Sequence, residues 1–183
     1  MTATDQQLIS SLSNPSTQRR AFEQVVRQYS EQLYWQIRRI VLTHEDANDV
    51  LQNTFIKAWQ GLEGFHGDSK LLTWLSRIAI NESLDFMRRQ KNVLTVSADD
   101  DEGGVANMLM ADDYFDGDET EAQLQQAIAR LPEVQRMVFN LRYFDEMKYS
   151  EMSKLLDTSE GALKASYHLA VKKITDYVRN HDE

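Results

Sequence analysis

DANDVLQNTFIKAW at residues 46–59, followed by FHGDSKLLTWLSRIAINESLDFMRRQ at 65–90, is the part of the chain whose spacing settles its fold class. In the first stretch Ala47, Val50, Leu51, Thr54 and Ala58 recur at helical steps and form an inward stripe, while Asp49, Gln52 and Asn53 fall off it and face out. Thr43, three residues before Asp46, is placed to cap this helix in a capping-box arrangement, and the pattern runs to about Gln60. In the second stretch Leu71, Leu72, Trp74, Leu75, Ile78, Ala79 and Phe86 predict a helix from about Lys70 to Gln90, with Ser69 or Asp68 as its cap. Its basic end, Arg88, Arg89 and Lys91, suits the helix dipole. Gly61, Gly64 and Gly67 puncture the chain between the two helices, around Phe65 and His66, and mark a mobile or tightly turned loop. Upstream, Phe22, Val25, Val26, Tyr29, Leu33, Ile37, Ile40 and Val41 give a third amphipathic helix. No strand-like alternation appears, so the fold class is all-α.

The C-terminal part repeats the helical period. Leu124, Ala127, Ile128 and Leu131 form a stripe; Pro132 then suits the first position of a further helix carrying Val134, Val138 and Leu141. In YSEMSKLLDTSEGALKASYHLAVKKI, residues 149–174, a short helix ends near Leu156 and Asp157-Thr158 makes the turn. Ser159 caps a second helix with Glu160 in its first turn. Leu163, Tyr167, Ala170 and Ile174 share one face of that helix and Lys164, His168 and Lys172 another. This is helix-turn-helix spacing, whose second helix can enter a DNA major groove.

The formal net charge of −9 argues at first against a nucleic-acid partner. Its distribution reverses that argument. Residues 1–93 hold 11 basic and 10 acidic residues, residues 94–121 hold 10 acidic and no basic residue, and residues 122–183 hold nine of each. A long acidic run with Gly103, Gly104 and Gly117 and no helical period reads as a flexible linker. It is too long for a surface loop inside one small domain, the other reading of the same residues. The expected organisation is therefore two small helical domains, 1–93 and 122–183, joined by an acidic flexible linker at 94–121, the C-terminal one a helix-turn-helix domain. With no cysteine, the chain has no disulfide framework, thiolate metal site or cysteine nucleophile. No apolar run is long enough to span a bilayer, and the first 16 residues lack the basic start of a signal peptide. A soluble cytoplasmic protein is the expectation.

The two quoted stretches resemble domain 2 of bacterial RNA polymerase sigma factors of the extracytoplasmic-function (ECF) group, whose motifs read roughly D-A-E-D-x-x-Q-E-x-F-x-x-x-W and F-x8-W-L-x-x-I-A-x-N-x-x-x-D-x-x-R. Trp74-Leu75, Ile78-Ala79, Asn81, Asp85 and Arg88 stand in register. LPEVQRMVFNLRYF at 131–144 and the helix-turn-helix that follows resemble the family's domain 4. The resemblance implies a sigma factor that binds core RNA polymerase through its clamp helices and flap, directs it to promoters and promotes DNA melting. It implies no enzyme, no cofactor and no metal, and an anti-sigma factor is a common further partner in the group.

Residue by residue, the resemblance places Asp49, Gln52, Asn53, Phe55 and Trp59 on the polymerase-docking helix, with Asn53 standing where the family usually has Glu. Phe55 and Trp59 equally suit a core role. It assigns minus-ten DNA to Phe65, His66, Asp68, Ser69 and Lys70 of the glycine-flanked loop, which would capture an unstacked base. From the neighbouring helix it adds Trp74, Arg77, Asn81, Arg88, Arg89 and Lys91, the cations holding phosphates and the polar groups reading bases; Trp74 also suits the core. It assigns the minus-thirty-five element to Lys164, Ala165, Ser166, His168, Lys172 and Lys173. Positions 166 and 169 are often Arg in the family and are Ser166 and Leu169 here; Asp157 replaces the usual turn glycine. By the same resemblance the linker threads the polymerase near positive channels, where a polyanion stands in for RNA; a solubilising tether would have the same composition. Met108, Leu109 and Met110 hint at a short docking segment within it.

The rival reading is a stand-alone helix-turn-helix transcriptional regulator, which has no need of the 46–59 and 65–90 motifs. An enzyme reading finds no support: His44, His66, His168 and His181 have no short ligand spacing, and no phosphate-binding glycine loop occurs.

Overall fold

The computed structural model describes residues 3–67, 69–94 and 119–180. Asp68, the linker between residues 94 and 119 with Met108, Leu109 and Met110, His181 and the side chain of Lys91 lie outside the described residues. The chain divides into two compact units, Met1–Val96 and Ser97–Glu183, and the regular elements of their described parts are all helices.

In the first unit α1 is Ala3–Leu12, α2 Gln18–Val41, α3 His44–Gln60 and α4 Leu71–Leu94, with a 3-10 turn at Leu62–Gly64 between α3 and α4. Helices α2, α3 and α4 pack on one another in all three pairings, and α1 lies on α2. The shared core holds Val25, Leu33, Ile37 and Ile40 of α2, Ala47, Val50 and Ala58 of α3, and Leu71, Leu75, Ala79 and Ile80 of α4. Thr43 caps α3 as its spacing predicts, its hydroxyl accepting from the Asp46 N–H at 3.2 Å. Leu42 ends α2 in the left-handed region (φ 72°) and is itself buried, so its side chain offsets the strain that conformation imposes.

Three local expectations differ from the structure here. α1, with Leu8 and Leu12 buried, is an additional element. The carbonyl of Lys70 accepts the first helical bond of α4, from the Trp74 N–H at 3.1 Å, so Lys70 and not Ser69 holds the N-cap position. α4 also continues one turn past Gln90, to Leu94, because no proline or glycine stops it.

In the second unit α5 is Glu119–Ala129, α6 Glu133–Tyr143, α7 Tyr149–Leu156 and α8 Glu160–Arg179. α8 is the hub: α5, α6 and α7 all pack against it. Ala127, Ile128, Leu131, Phe139, Ala170 and Ile174 form one buried cluster, with Tyr167 stacked on Phe139 (5.8 Å, 14°). Tyr143 stacks on Phe139 as well, at 5.1 Å and 13°. Arg136 is buried and points its Nη1 at the carbonyls of Ala129 (3.5 Å) and Leu131 (3.4 Å), which close α5. Burial lowers its pKa, and the neighbouring Glu133 carboxylate acts in the opposite sense. Pro132 is the N-cap of α6 rather than its first residue, and Val134, in the first turn, is exposed while Val138 and Leu141 are buried.

Candidate polymerase and nucleic-acid interfaces

On α3, Asp49, Gln52 and Asn53 are exposed, as the pattern predicts. Ile56 (49% exposed) follows Gln52 and Asn53 at four- and three-residue steps and so shares their face. Trp59 is 42% exposed and meets Phe22 edge-on at 5.1 Å. Phe55 is buried and meets the same Phe22 ring edge-on at 6.3 Å. The two aromatic candidates thus separate: Trp59 belongs to the surface and Phe55 supports it from beneath, through Phe22. Ile56 did not enter the sequence-derived set, although an apolar residue off the inward stripe is a readable signal.

Between the end of α3, the 3-10 turn and α4 lies an open groove of about 630 Å³, lined by Lys57, Gly61, Gly64, Trp74, Ile78, Asn81, Glu82 and Asp85. Gly61 allows the close approach: a Cβ there would sit 3.2 Å from the Lys57 carbonyl and 3.5 Å from the Trp74 ring. Lys57 and Glu82 form an ion pair across the groove; the Glu82 side chain is almost wholly buried, whereas that of Lys57 is half exposed. Removing the partner of a carboxylate that deep is costly, because it leaves an uncompensated buried charge. This pair, which joins α3 to α4, carries no local motif and escaped sequence reading.

The glycine-flanked loop divides its candidates. Phe65 is buried, with its ring tilted on Trp74 at 4.8 Å, so it is not presented as a free stacking platform; burial of a large apolar ring outweighs its exposure beside polar neighbours. His66 and Lys70 are exposed and Ser69 half-buried, with Gly67 supplying a left-handed backbone (φ 80°) between them. On α4, Trp74, Arg77, Asn81 and Arg88 recur at steps of three, four and seven and lie along one face. Trp74 is half-buried and the other three are exposed, as is Arg89. Arg88 pairs with Asp85 at 3.2 Å; both side chains are exposed, so this contact is weak. Trp74 and Asn81 are the two candidates that the groove brings together.

In the second unit Asp157 takes the left-handed conformation (φ 48°, ψ 47°) that the turn requires, and Ser159 caps α8 by accepting from the Ala162 N–H at 3.3 Å. Lys164, Ala165, His168, Lys172 and Lys173 are exposed, and Ser166 is half-buried. Lys164 lies 3.8 Å from Glu160 and 5.6 Å above the Tyr149 ring, which holds its ammonium beside the turn. Among the described residues no group of three or more His, Asp or Glu could hold a metal ion, and no helix is long and apolar enough to cross a membrane.

An all-helical chain that ends in a helix-turn-helix unit with a basic exposed face is built to bind DNA. Residues 25–93 match the family described as Sigma-70 region 2, and residues 121–174 match Sigma-70, region 4. The chain is 32% identical over 169 residues to the RNA polymerase sigma-H factor of Pseudomonas aeruginosa, covering 88% of this chain and 86% of that one. It is 29% identical over 168 residues to the ECF RNA polymerase sigma factor SigW of Bacillus subtilis, covering 87% and 90%. In fold it is similar to the sigma factor RpoE in complex with the anti-sigma factor NepR from Bartonella quintana, with a TM-score of 0.63 at 20% identity, covering 86% of this chain and 96% of that one. The chain belongs to the sigma-70 family of RNA polymerase sigma factors, in its ECF group. It is therefore a non-enzymatic subunit of RNA polymerase whose partners are the core enzyme and promoter DNA, and it directs that polymerase to promoters.

Proposed function

We propose that the two surfaces of the first unit divide the work of initiation. The outward face of α3, with Asp49, Gln52, Asn53, Ile56 and Trp59, docks on the clamp helices of core polymerase. Polar and acidic groups steer the encounter, and the exposed Ile56 and Trp59 supply desolvated contact area. Phe55 serves this face indirectly, by fixing Phe22 and through it Trp59. The loop and the α4 face then take the minus-ten element: His66, Asp68, Ser69 and Lys70 surround an extruded base, Trp74 and Asn81 contact it within the groove, and Arg77, Arg88, Arg89 and Lys91 hold phosphates. Holding an unstacked base is how this unit promotes melting.

In the second unit Lys164, Ala165, Ser166, His168, Lys172 and Lys173 of α8 face the minus-thirty-five element, and the same unit meets the polymerase flap. Residues 1–93 and 122–183 act as the two functional domains, with the acidic residues 94–121 as their tether. The protein works in the cytoplasm. An anti-sigma factor is a further partner in this reading, supported by the complex in which the Bartonella relative was solved.

The observation that carries the proposal is the separation of faces: the exposed side chains of α3 and those of α4 lie on different helices of one small unit, so two partners can be engaged together. Run-off transcription and core-binding assays on the same variants test it. Arg88→Ala combined with Arg89→Ala should reduce open-complex formation by tenfold or more while core affinity changes less than about twofold, since two phosphate contacts are lost. Asp49→Ala with Gln52→Ala should weaken core binding, with open-complex formation restored when core enzyme is raised to saturation, the condition under which open complexes of all variants are compared. Equal loss of both activities in either variant would refute the division.

A further inference from the structure

Ala162, Ala165 and Leu169 follow one another on α8 at steps of three and four, and all three are exposed. They form an apolar stripe on the side opposite Leu163, Ala170 and Ile174, which face the core. Leu169 projects farthest, at 47% exposure. His168 and Lys172 flank the stripe on one side and Lys173 on the other, all exposed. From Glu160 to Thr175 the helix holds no Arg, Asn or Gln, and of the side chains that read base edges through paired hydrogen bonds only Lys is present, with Lys172 and Lys173 to either side of the stripe. The stripe itself is thus apolar, inside a rim of cations.

A cation-rimmed apolar stripe on a recognition helix has one complementary feature in a DNA major groove, the C5 methyl group of thymine. We infer that α8 reads thymine methyls through Ala162, Ala165 and Leu169, with Leu169 the main specificity-determining residue, while Lys172 and Lys173 grip phosphates. The inference rests on α8 being the reader of the minus-thirty-five element. It commits the stripe to duplex DNA and not to a protein partner, because cations bracket it on both sides where phosphates run along both walls of the groove.

The test uses holoenzyme assembled from the full chain and core polymerase. A promoter library randomised across the upstream element is selected by run-off transcription, and the recovered promoters are remade with uracil replacing thymine in that element only. Uracil keeps every hydrogen-bonding group and loses only the methyl. The wild-type holoenzyme should need about fourfold more uracil promoter than thymine promoter for each methyl contacted. Leu169→Ala should lower that ratio, leaving only what Ala162 and Ala165 contribute. Lys172→Ala should weaken both promoters alike and leave the ratio intact. Leu169 is exposed, so its replacement spares the core, and helical circular dichroism checks this. If the wild type does not distinguish uracil from thymine while Lys172→Ala still weakens binding, the methyl reading fails and α8 remains the DNA helix. If neither change matters, α8 does not read this element at all. If Leu169→Ala weakens both promoters with an unchanged ratio, Leu169 meets a protein and the inference is overturned.

Discussion

Asp157 closes the helix-turn-helix with φ 48° and ψ 47°, a conformation that glycine adopts freely and that aspartate tolerates better than most residues. Its side chain is exposed, so the backbone is what the position demands. Asp157→Gly should therefore be neutral or stabilising by up to about 1 kcal/mol, whereas Asp157→Val should cost about 1–2 kcal/mol because a β-branched side chain crowds the carbonyl. Urea denaturation of the full chain measures both, and a destabilising Asp157→Gly would show that the carboxylate itself matters. This position was legible because the turn residue stood between two periodic helices. Phe65 was harder. Its neighbours are glycine, histidine and aspartate, which read as an exposed loop, and only the Trp74 ring, nine residues on, turns it inward. Val134, in the first turn of α6, is exposed, whereas Val138 and Leu141 of the same stripe are fully buried.

Among the elements, α2, α3, α4 and α8 were readable because each presents a long stripe with capping or turn residues at its ends. α1 was not. Ten residues with two anchoring leucines are too short to be stable alone, and the helix exists because Leu8 and Leu12 are buried in the first unit, where α1 packs on α2. The link between α3 and α4 was equally hidden, since Lys57 and Glu82 stand 25 residues apart. The pair is asymmetric: removing Lys57 strands a buried carboxylate, but neutralising Glu82 merely releases a half-exposed ammonium to water. Lys57→Ala should thus cost about 2 kcal/mol or more, and Glu82→Gln less than about 1 kcal/mol. Thermal unfolding of the two variants decides it; a larger loss for Glu82→Gln would mean that the carboxylate has further obligatory partners.

At the scale of the whole chain, the net charge of −9 resides in residues 94–121, and the parts on either side are near neutral. The arithmetic of composition therefore describes a connecting segment and says little about the surfaces that meet DNA. What the sequence made legible was the class of fold and the helices that carry the candidate residues. What it did not reveal were features made by two helices at once: the groove lined by both α3 and α4, the buried pair within it, and the support of Trp59 by Phe22.

The distribution of aromatic side chains has an optical consequence. Trp35, Trp59 and Trp74 all belong to the first unit, while the stacked rings of the second, Phe139, Tyr143 and Tyr167, include no tryptophan. The intact protein thus carries its own two-colour label: selectively excited indole emission follows the first unit alone, and the far-ultraviolet signal follows both units. Denaturation curves from the two probes should not coincide. Superimposable curves would mean that the two halves unfold as one. Partner binding gains the same readout: a ligand that stabilises only the helix-turn-helix half should shift the far-ultraviolet transition and leave the indole transition where it was.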